Sequence, residues 1–424
     1  MIECNEMNIQ TLSIIKNLNG KSKFSISKNS RKLGLSRQTY QNKLDILREE
    51  DVIKNFTINI NPDIHPNNLK YVMLEIKTNP KEPELVDELL KISQLRMLDG
   101  IIGDFSLFAL LIFKSSKEYY QILNTIDNIM AKSYFKKYQI IETIKVFKTN
   151  GISLRKTRMS LKERLIDELR TADLSENKLL IEIKKKMDLN EIFKRNEENS
   201  NIKFNSEKFP GLLIQYENSA LSIMIFPDGK IVISGLKSDV KIEQVIEMIF
   251  KITGLQSEQK IPESEFEVDN TDFTILNILR DFQGSRPIST YDISGILKDQ
   301  FQTEVSQSTI HNRIKRLEHN GVILNYVVNF SPKKIGFEGK YLLRIKPKDP
   351  SKYDELAMRL DSNKYITDLF RIGEQYGLFA IVRVKSIEDY AIFIKDLYSS
   401  EEIEDTYTNF VLDELKPYTN FFIF

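Results

Sequence analysis

This chain repeats itself, and that constrains its fold more than any other feature. SRQTYQNKLDILREEDVIKNF begins at Ser36 and SQSTIHNRIKRLEHNGVILNY at Ser306. They share Ser36/Ser306, Thr39/Thr309, Asn42/Asn312, Leu47/Leu317, Val52/Val322, Ile53/Ile323 and Asn55/Asn325. Charge or size is kept at Lys43/Arg313, Leu44/Ile314 and Phe56/Tyr326. A second match, LFALLIFKSSKEY from Leu107 against LFAIVRVKSIEDY from Leu378, follows at nearly the same spacing. Two matches in one order mean a duplicated two-part unit, over about 1–150 and about 265–420, around an unmatched insert at about 155–260.

Each copy carries the same pattern. Ile9, Leu12, Ile15 and then Ser36–Leu47 have helical spacing, with Tyr40, Leu44 and Leu47 on one face. Ser25 and Ser36 suit N-caps, and Gly34 suits the turn before the last helix. A strand is expected at Ile53–Ile60, ended by Pro62. Beyond it come a strand at Tyr71–Ile76, a helix at Glu84–Leu95, a strand at Leu107–Phe113, a helix at Lys117–Met130 and a strand at Tyr138–Phe147. That is a three-helix unit followed by a β-α-β-β-α-β sandwich of ferredoxin-like type.

Three helices with a polar, basic third one make a helix-turn-helix, whose last helix lies in the major groove. The outward candidates are Arg37, Gln38, Gln41 and Lys43 in the first copy, and Gln307, Ser308, His311, Asn312 and Arg313 in the second. Arg and Lys suit guanine edges and phosphates; Gln and Asn suit adenine. A merely solvated polar face would read the same way in one copy, but two copies followed by the same sandwich weigh against it.

Both copies resemble the leucine-responsive regulatory protein/AsnC family of bacterial and archaeal transcription regulators. The resemblance rests on LGLSRQTYQNKLDILREEDVIKNF, on VSQSTIHNRIKRLEHNGVILNY, and on GDFSLFALL at Gly103 and GEQYGLFAI at Gly373. It implies helix-turn-helix binding to double-stranded DNA, dimerisation through the ferredoxin-like domain, an amino-acid effector and an archaeal setting. A homodimer is expected, and the two copies can also pair within one chain. This sequence departs from the family by an insertion between the second copy's helices (Lys298–Glu304), by lacking Gly34 there, and by keeping only Gly103, Asp104 and Phe105 of an effector-domain motif.

The insert carries FPGLLIQYENSALSIMIFPDGKIVISGLKS from Phe209. Turn signals at Glu217–Ser219 and Pro227-Asp228-Gly229 make it a three-strand meander. Strand parity puts Leu212, Ile214, Tyr216, Leu221, Ile223, Ile225, Ile231 and Ile233 on one face, to be covered by an amphipathic helix at Val240–Ile252. The other face holds Phe209, Gly211, Leu213, Ser222, Met224, Phe226, Val232 and Ser234 and is also largely apolar, which marks an interface.

This segment resembles one repeat of TATA-box-binding protein, through FPGL at Phe209, IFPDGK at Ile225, IVISGLKS at Ile231 and the flanking LLIEIKKKMDL from Leu179. The resemblance implies that Phe209 and Phe226 wedge between base steps and that Met224, Val232 and Ser234 meet the minor-groove floor. It places Lys230 and Lys237 near phosphates, and Asn177 as a minor-groove asparagine. Gln215 stands where the family has arginine. The family's saddle needs two repeats and this chain has one, so two chains are expected to complete it.

Composition excludes other classes. The single Cys4 forms no internal disulfide, and Cys4, His65, His311 and His319 are too few and scattered for structural zinc. No apolar run approaches the ~18–20 residues that span a bilayer, so a cytoplasmic protein off the membrane is expected. No phosphate-cradling loop or HExxH, GxSxG or paired-cysteine motif is present, so neither a cofactor nor an enzymatic activity is expected. The basic run Lys184–Lys186 reads as a solvated strand end. The formal net charge of +1 hides an asymmetry: residues 1–50 are basic, whereas the approach to the second copy holds Glu258, Glu263, Glu265, Glu267, Asp269 and Asp272.

The fold class expected is therefore α+β multidomain, with two helix-turn-helix plus ferredoxin-like units around a central TATA-binding-protein-like half built as an antiparallel sheet with helices. The boundaries are 1–62, 67–152, 174–257, 266–330 and 338–420. The function expected is a DNA-binding transcription regulator. The rivals are a scaffold that recruits or mimics general transcription factors through the central repeat, and an amino-acid-responsive sensor.

Overall fold

The computed structural model describes residues 13–15, 18, 25–64, 68–79, 82–154, 162, 178–182, 186–205, 209–215, 220–235, 242–255, 266–284 and 286–418. The chain divides into two compact units, Met1–Arg155 with Ser264–Phe424, and Lys156–Glu263.

In the first half of the larger unit, helical residues at 13–15 and 18 precede α1 (Ile26–Lys32) and α2 (Arg37–Glu49). Then follow β1 (Ile53–Ile60), β2 (Lys70–Ile76), α3 (Pro83–Leu90), β3 (Leu95–Ile101), β4 (Leu107–Phe113), α4 (Ser116–Lys132), β5 (Tyr138–Thr149) and the short β6 (Ile152–Ser153). The smaller unit holds β7 (Lys178–Glu182), α5 (Leu189–Arg195), β8 (Ile202–Lys203), β9 (Leu212–Gln215), β10 (Ser222–Ile225), β11 (Lys230–Ser234) and α6 (Ile242–Thr253). The second half of the larger unit runs α7 (Asn270–Asp281), α8 (Thr290–Phe301), α9 (Gln307–His319), β12 (Ile323–Phe330), β13 (Gly339–Pro347), α10 (Tyr353–Leu360), β14 (Ile366–Ile372), β15 (Leu378–Val384), α11 (Ile387–Ser399) and β16 (Ile403–Lys416).

The third helices, α2 and α9, begin alike for one reason. Ser36 and Ser306 take the same extended backbone, and their hydroxyls accept from the N–H of Thr39 (3.0 Å) and Thr309 (3.2 Å). Tyr40, Leu44 and Leu47 are buried in α2, and Ile310, Ile314 and Leu317 at the matching positions of α9. Each buried leucine or isoleucine contributes about 1.5–3 kcal/mol. The expected insertion at Lys298–Glu304 is not a loop: it extends α8 to Phe301, and Gln302 supplies the left-handed turn (φ 51°) that Gly34 (φ 65°) makes in the first half.

One helix-to-strand expectation is corrected. The helix expected at Glu84–Leu95 ends at Leu90, and Leu95–Ile101 is a strand. Asp99 and Gly100 obscured it in the sequence, because an acid at the centre of a strand makes sense only with its distant partner in place.

Neither sandwich stands by itself. Each half has the ferredoxin-like strand order, β3-β4-β2-β5 and β14-β15-β13-β16, but the two sheets join at β16–β3 and β14–β5. The nine-stranded sheet so closes into a barrel that uses every strand but β6. Closure satisfies edge N–H and C=O groups that two separate sheets would leave open. The barrel interior is lined by residues of both halves, among them Met73, Phe108, Leu110, Leu342, Phe379 and Ile381, while α3 and α4 cover the outside of one sheet and α10 and α11 the other. The partner that a dimerising sandwich requires is thus the other half of the same chain.

The halves also exchange strands beneath the helices. β1 pairs antiparallel with β12, placing Asn55 opposite Asn329 and Asn59 opposite Asn325. Val328 and Phe330 complete the core under α2, and Ile58 completes the core under α9.

In the smaller unit the strand order is β7-β11-β10-β9-β8. Parity holds as expected: Leu212, Ile214, Ile223, Ile225, Ile231 and Ile233 are buried and packed with Val245, Ile246 and Ile249 of α6. Tyr216 and the Glu217–Ser219 turn lie outside the described residues.

Candidate nucleic-acid interface

In the first half, Arg37 and Gln38 are exposed on α2, and Gln38 donates to Asn42 at 2.9 Å. Gln41 and Lys43 are half-buried, and Gln41 donates to both Asp45 oxygens (2.9 and 3.0 Å). That bond and the ion pair from Arg48 (2.7 Å) hold the Asp45 carboxyl below its ordinary value. Arg37 and Gln38 at the exposed N-terminal end of α2 are therefore the side chains presented to solvent, with Lys43 at the flank.

In the second half, Gln307, Ser308, His311 and Asn312 are exposed on α9, and the Ser308 hydroxyl lies 2.9 Å from that of Ser306. Arg313 departs from the outward expectation. Its guanidinium bonds Asp269 at 2.6 Å and Asp272 at 2.8 Å, and Arg316 reaches the same Asp272 at 3.0 Å. Asp272 is fully buried. It also closes the capping box of α7 with Asp269. These bonds overcome burial to lower the Asp269 carboxyl, and they raise Arg313. The acids that precede the second copy thus have a structural task in holding α7 against α9.

The strand ladder beneath the two helix units is fixed by amides: Asn59 Nδ2 donates to Asn325 Oδ1 and Asn329 Nδ2 to Asn55 Oδ1, both at 2.8 Å. Asn55 and Asn325 stand out in the repeat as an asparagine kept in a strand, where asparagine is disfavoured. That signal was legible, although its meaning required the pairing.

In the smaller unit the face opposite α6 is open. Leu213, Ser222, Met224, Phe226, Lys230, Val232 and Ser234 are half-buried, and Phe209 is 41% exposed. The Phe209 and Phe226 rings meet edge to face, with centroids 5.8 Å apart. Gly211 allows this: a Cβ there would lie 2.6 Å from the Phe209 ring and 3.2 Å from the Phe226 ring. Lys230 is ion-paired to Asp228 across the hairpin turn. Lys237 and Asn177, with Cys4, His65, Lys184 and Lys185, lie outside the described residues. The described residues hold no cluster of metal-ligating side chains and no helix long and apolar enough to cross a membrane.

Comparison with known proteins meets both kinds of surface. The family model of transcription factor TFIID (or TATA-binding protein) matches residues 180–254, and that of the Lrp/AsnC ligand binding domain matches residues 341–421. An uncharacterised HTH-type transcriptional regulator of Pyrococcus furiosus is 31% identical over 150 residues, 35% of this chain and 95% of the relative. The HTH-type transcriptional regulator FL11 of the same organism is 32% identical over 152 residues, 36% of this chain and 94% of the relative. Among solved structures, Escherichia coli AsnC matches 35% of this chain and 94% of its own at 25% identity and a TM-score of 0.29. The siroheme decarboxylase NirDL matches 98% of this chain and 94% of its own at 9% identity and a TM-score of 0.45. With regulators of this type matched over nearly their whole length, the chain belongs to the Lrp/AsnC family of helix-turn-helix regulators and is a DNA-binding regulator of transcription.

Proposed function

We propose that both halves are Lrp/AsnC-type units (helix-turn-helix at 1–62 and 266–330, sandwich at 67–152 and 338–420) whose third helices read major grooves. Arg37, Gln38, Gln41 and Lys43 serve the first half. Gln307, Ser308, His311 and Asn312 serve the second, with Arg313 positioning α9. The central repeat, 174–257, engages a minor groove: Phe209 and Phe226 enter a base step, and Met224, Val232 and Ser234 lie on the floor with Lys230 and Lys237 beside the backbone. The observation that carries the minor-groove reading is the open apolar face with its paired phenylalanines. A wedge of this kind costs a few kcal/mol in unstacking per step and bends the duplex; the TATA-binding family is itself the standard example. Two chains joined through their single repeats would supply the second half of a saddle.

The test is DNA bending measured by energy transfer between duplex ends. Phe209→Ala with Phe226→Ala should abolish the bend while leaving the circular-dichroism spectrum unchanged. Bending that survives the double substitution overturns the wedge. Absence of DNA binding at 50 mM salt together with capture of general transcription factors would favour the scaffold.

A second reading, sensing of an amino acid, is favoured by a cavity of about 470 Å³ between the β1–β12 ribbon and the end of the barrel. Arg96, Arg280, Lys416 and Asp281 line it, offering both signs of charge to a zwitterion. Thermal shift against the twenty amino acids tests it.

A further inference from the structure

The barrel interior distinguishes unlike from like halves. The LFA repeat makes Phe108 and Phe379 equivalent, and their rings stack on each other at 5.1 Å across the approximate twofold axis of the barrel. Glu75 lies opposite Phe108 and Arg344 opposite Phe379, so these two are equivalent as well. They form an ion pair at 2.7 Å, both nearly fully buried; Arg344 also bonds Glu374 and Asn409 of its own half, and Glu75 accepts from Gln139. A position that meets its own equivalent carries a negative charge in one half and a positive charge in the other.

The same register defines two equivalent clusters away from the axis. Tyr71 lies opposite Ile112 as Lys340 lies opposite Arg383; Asp99 lies opposite Phe108 as Phe370 lies opposite Phe379. At the seams Glu414 faces Asp99 and Val146 faces Phe370. One seam is therefore ionic. Lys340 bonds Asp99 at 2.6 Å and Glu414 at 3.2 Å, and Arg383 bonds Glu414 at 3.0 Å. The equivalent positions at the other seam are apolar: Tyr71, Ile112, Val146 and Phe370 share one core cluster, with the Tyr71 and Phe370 rings 5.9 Å apart.

Pairing like with like loses the two ion pairs that join the halves, Glu75–Arg344 and Asp99–Lys340, while Lys340–Glu414 and Arg383–Glu414 lie within the second half. Two first halves would set Glu75 against Glu75 and bury Asp99 among Tyr71, Ile112 and Val146. Two second halves would set Arg344 against Arg344, each with only Glu374 of its own half, and would leave Lys340 and Arg383 sharing Glu414 beside Phe370, one positive charge in excess. Unpaired buried charge is strongly penalised. Above the barrel, the β1–β12 ladder ties the two reading helices together, and those helices differ: α2 presents Arg37 and Gln38 where α9 presents Gln307 and Ser308.

We infer that the barrel accepts only unlike halves, and that this protein consequently reads an asymmetric DNA site of two dissimilar half-sites in fixed order. The inference rests on the major-groove reading proposed above. A symmetric regulator built from identical halves reads a palindrome because operator symmetry mirrors protein symmetry; a locked pair of unlike halves has no such symmetry to impose.

The experiment is selection of duplexes from a random pool by the full-length chain. The expected motif has two different halves, and replacing either half-site with a copy of the other weakens binding by about tenfold or more, as several mismatched base pairs would. An enriched site built from one half-site sequence repeated overturns this inference and leaves the DNA-reading proposal standing. Failure to enrich any duplex overturns both. The pairing rule has its own readout: Glu75→Arg should lower the melting temperature, and the exchange Glu75→Arg with Arg344→Glu, made together with Glu374→Gln so that the new acid does not face another, should recover it along with the same asymmetric motif. A single variant as stable as the parent, or an exchange that recovers none of the loss, removes the charge basis of the rule.

Discussion

Arg313 bonds the fully buried carboxylate of Asp272 at 2.8 Å, joining the third helix of the second half to its first helix. The equivalent side chain in the first half, Lys43, has no acid at the position matching Asp272, where the aligned residue is Asn8. The two reading heads are thus electrostatically unequal.

Removing Asp272 should destabilise the protein. Asp272→Ala takes one of two carboxylates from Arg313, which keeps Asp269, and breaks the α7 capping box, at a cost of about 1–3 kcal/mol. Urea denaturation should show a lower midpoint with an unchanged slope. Arg313→Ala should act on stability in the same direction and leave the salt dependence of DNA binding intact.

The first head should dominate affinity for DNA. Arg37→Ala should weaken binding at every sequence tested, and lower the slope of log affinity against log salt by about 1 if its contact is to phosphate. Gln307→Ala should change that slope little. Fluorescence anisotropy titrations from 50 to 200 mM salt check both.

Gly211 should be as sensitive as the phenylalanines it lies beneath. Gly211→Ala forces the Phe209 ring out of a 2.6 Å contact while α6 and the buried isoleucine face are untouched. The expected result is a folded protein with a reduced bend angle, measured on the duplex used for the phenylalanine variants.

Acid should act on Glu414 in the ionic seam of the barrel, against the opposite effect of Asp99, whose carboxyl burial raises to about 6. Burial works against the charge of Glu414, but Arg383 and Lys340 outweigh it and hold the carboxyl down to about 2, against an ordinary 4.5. A lowered carboxyl contributes stability that is fully present above about 4.5 and is lost as pH falls towards 2. The contribution is on the order of 3 kcal/mol. Glu414→Gln should be destabilised by a similar amount at pH 7 and show a flatter stability profile between pH 4.5 and 2 in denaturant titrations.

Much of this protein was legible from residue order alone. Local chemistry decides that Ser36 and Ser306 start helices, that Tyr40, Leu44 and Leu47 form a buried stripe, and that Ile223 and Ile225 face one side of a strand while Met224 faces the other. These depend on capping, helical period and strand parity, all of which act over a few residues. The repeat itself and the open apolar face with Phe209 and Phe226 were legible for the same reason.

What the tertiary structure alone decided are the relationships between residues hundreds of positions apart. The strand that carries Asp99 makes sense only with Lys340 beside it; Arg313 looked like a reader until Asp272 lay under it; the pairing of the two copies took its form, one closed barrel, only where β14 met β5 and β16 met β3. A buried charge is tolerated only with its partner in place, and a strand edge is settled only by the strand that covers it. Neither partner lies nearby in the chain, so the closed barrel and its preference for unlike halves were decided in three dimensions.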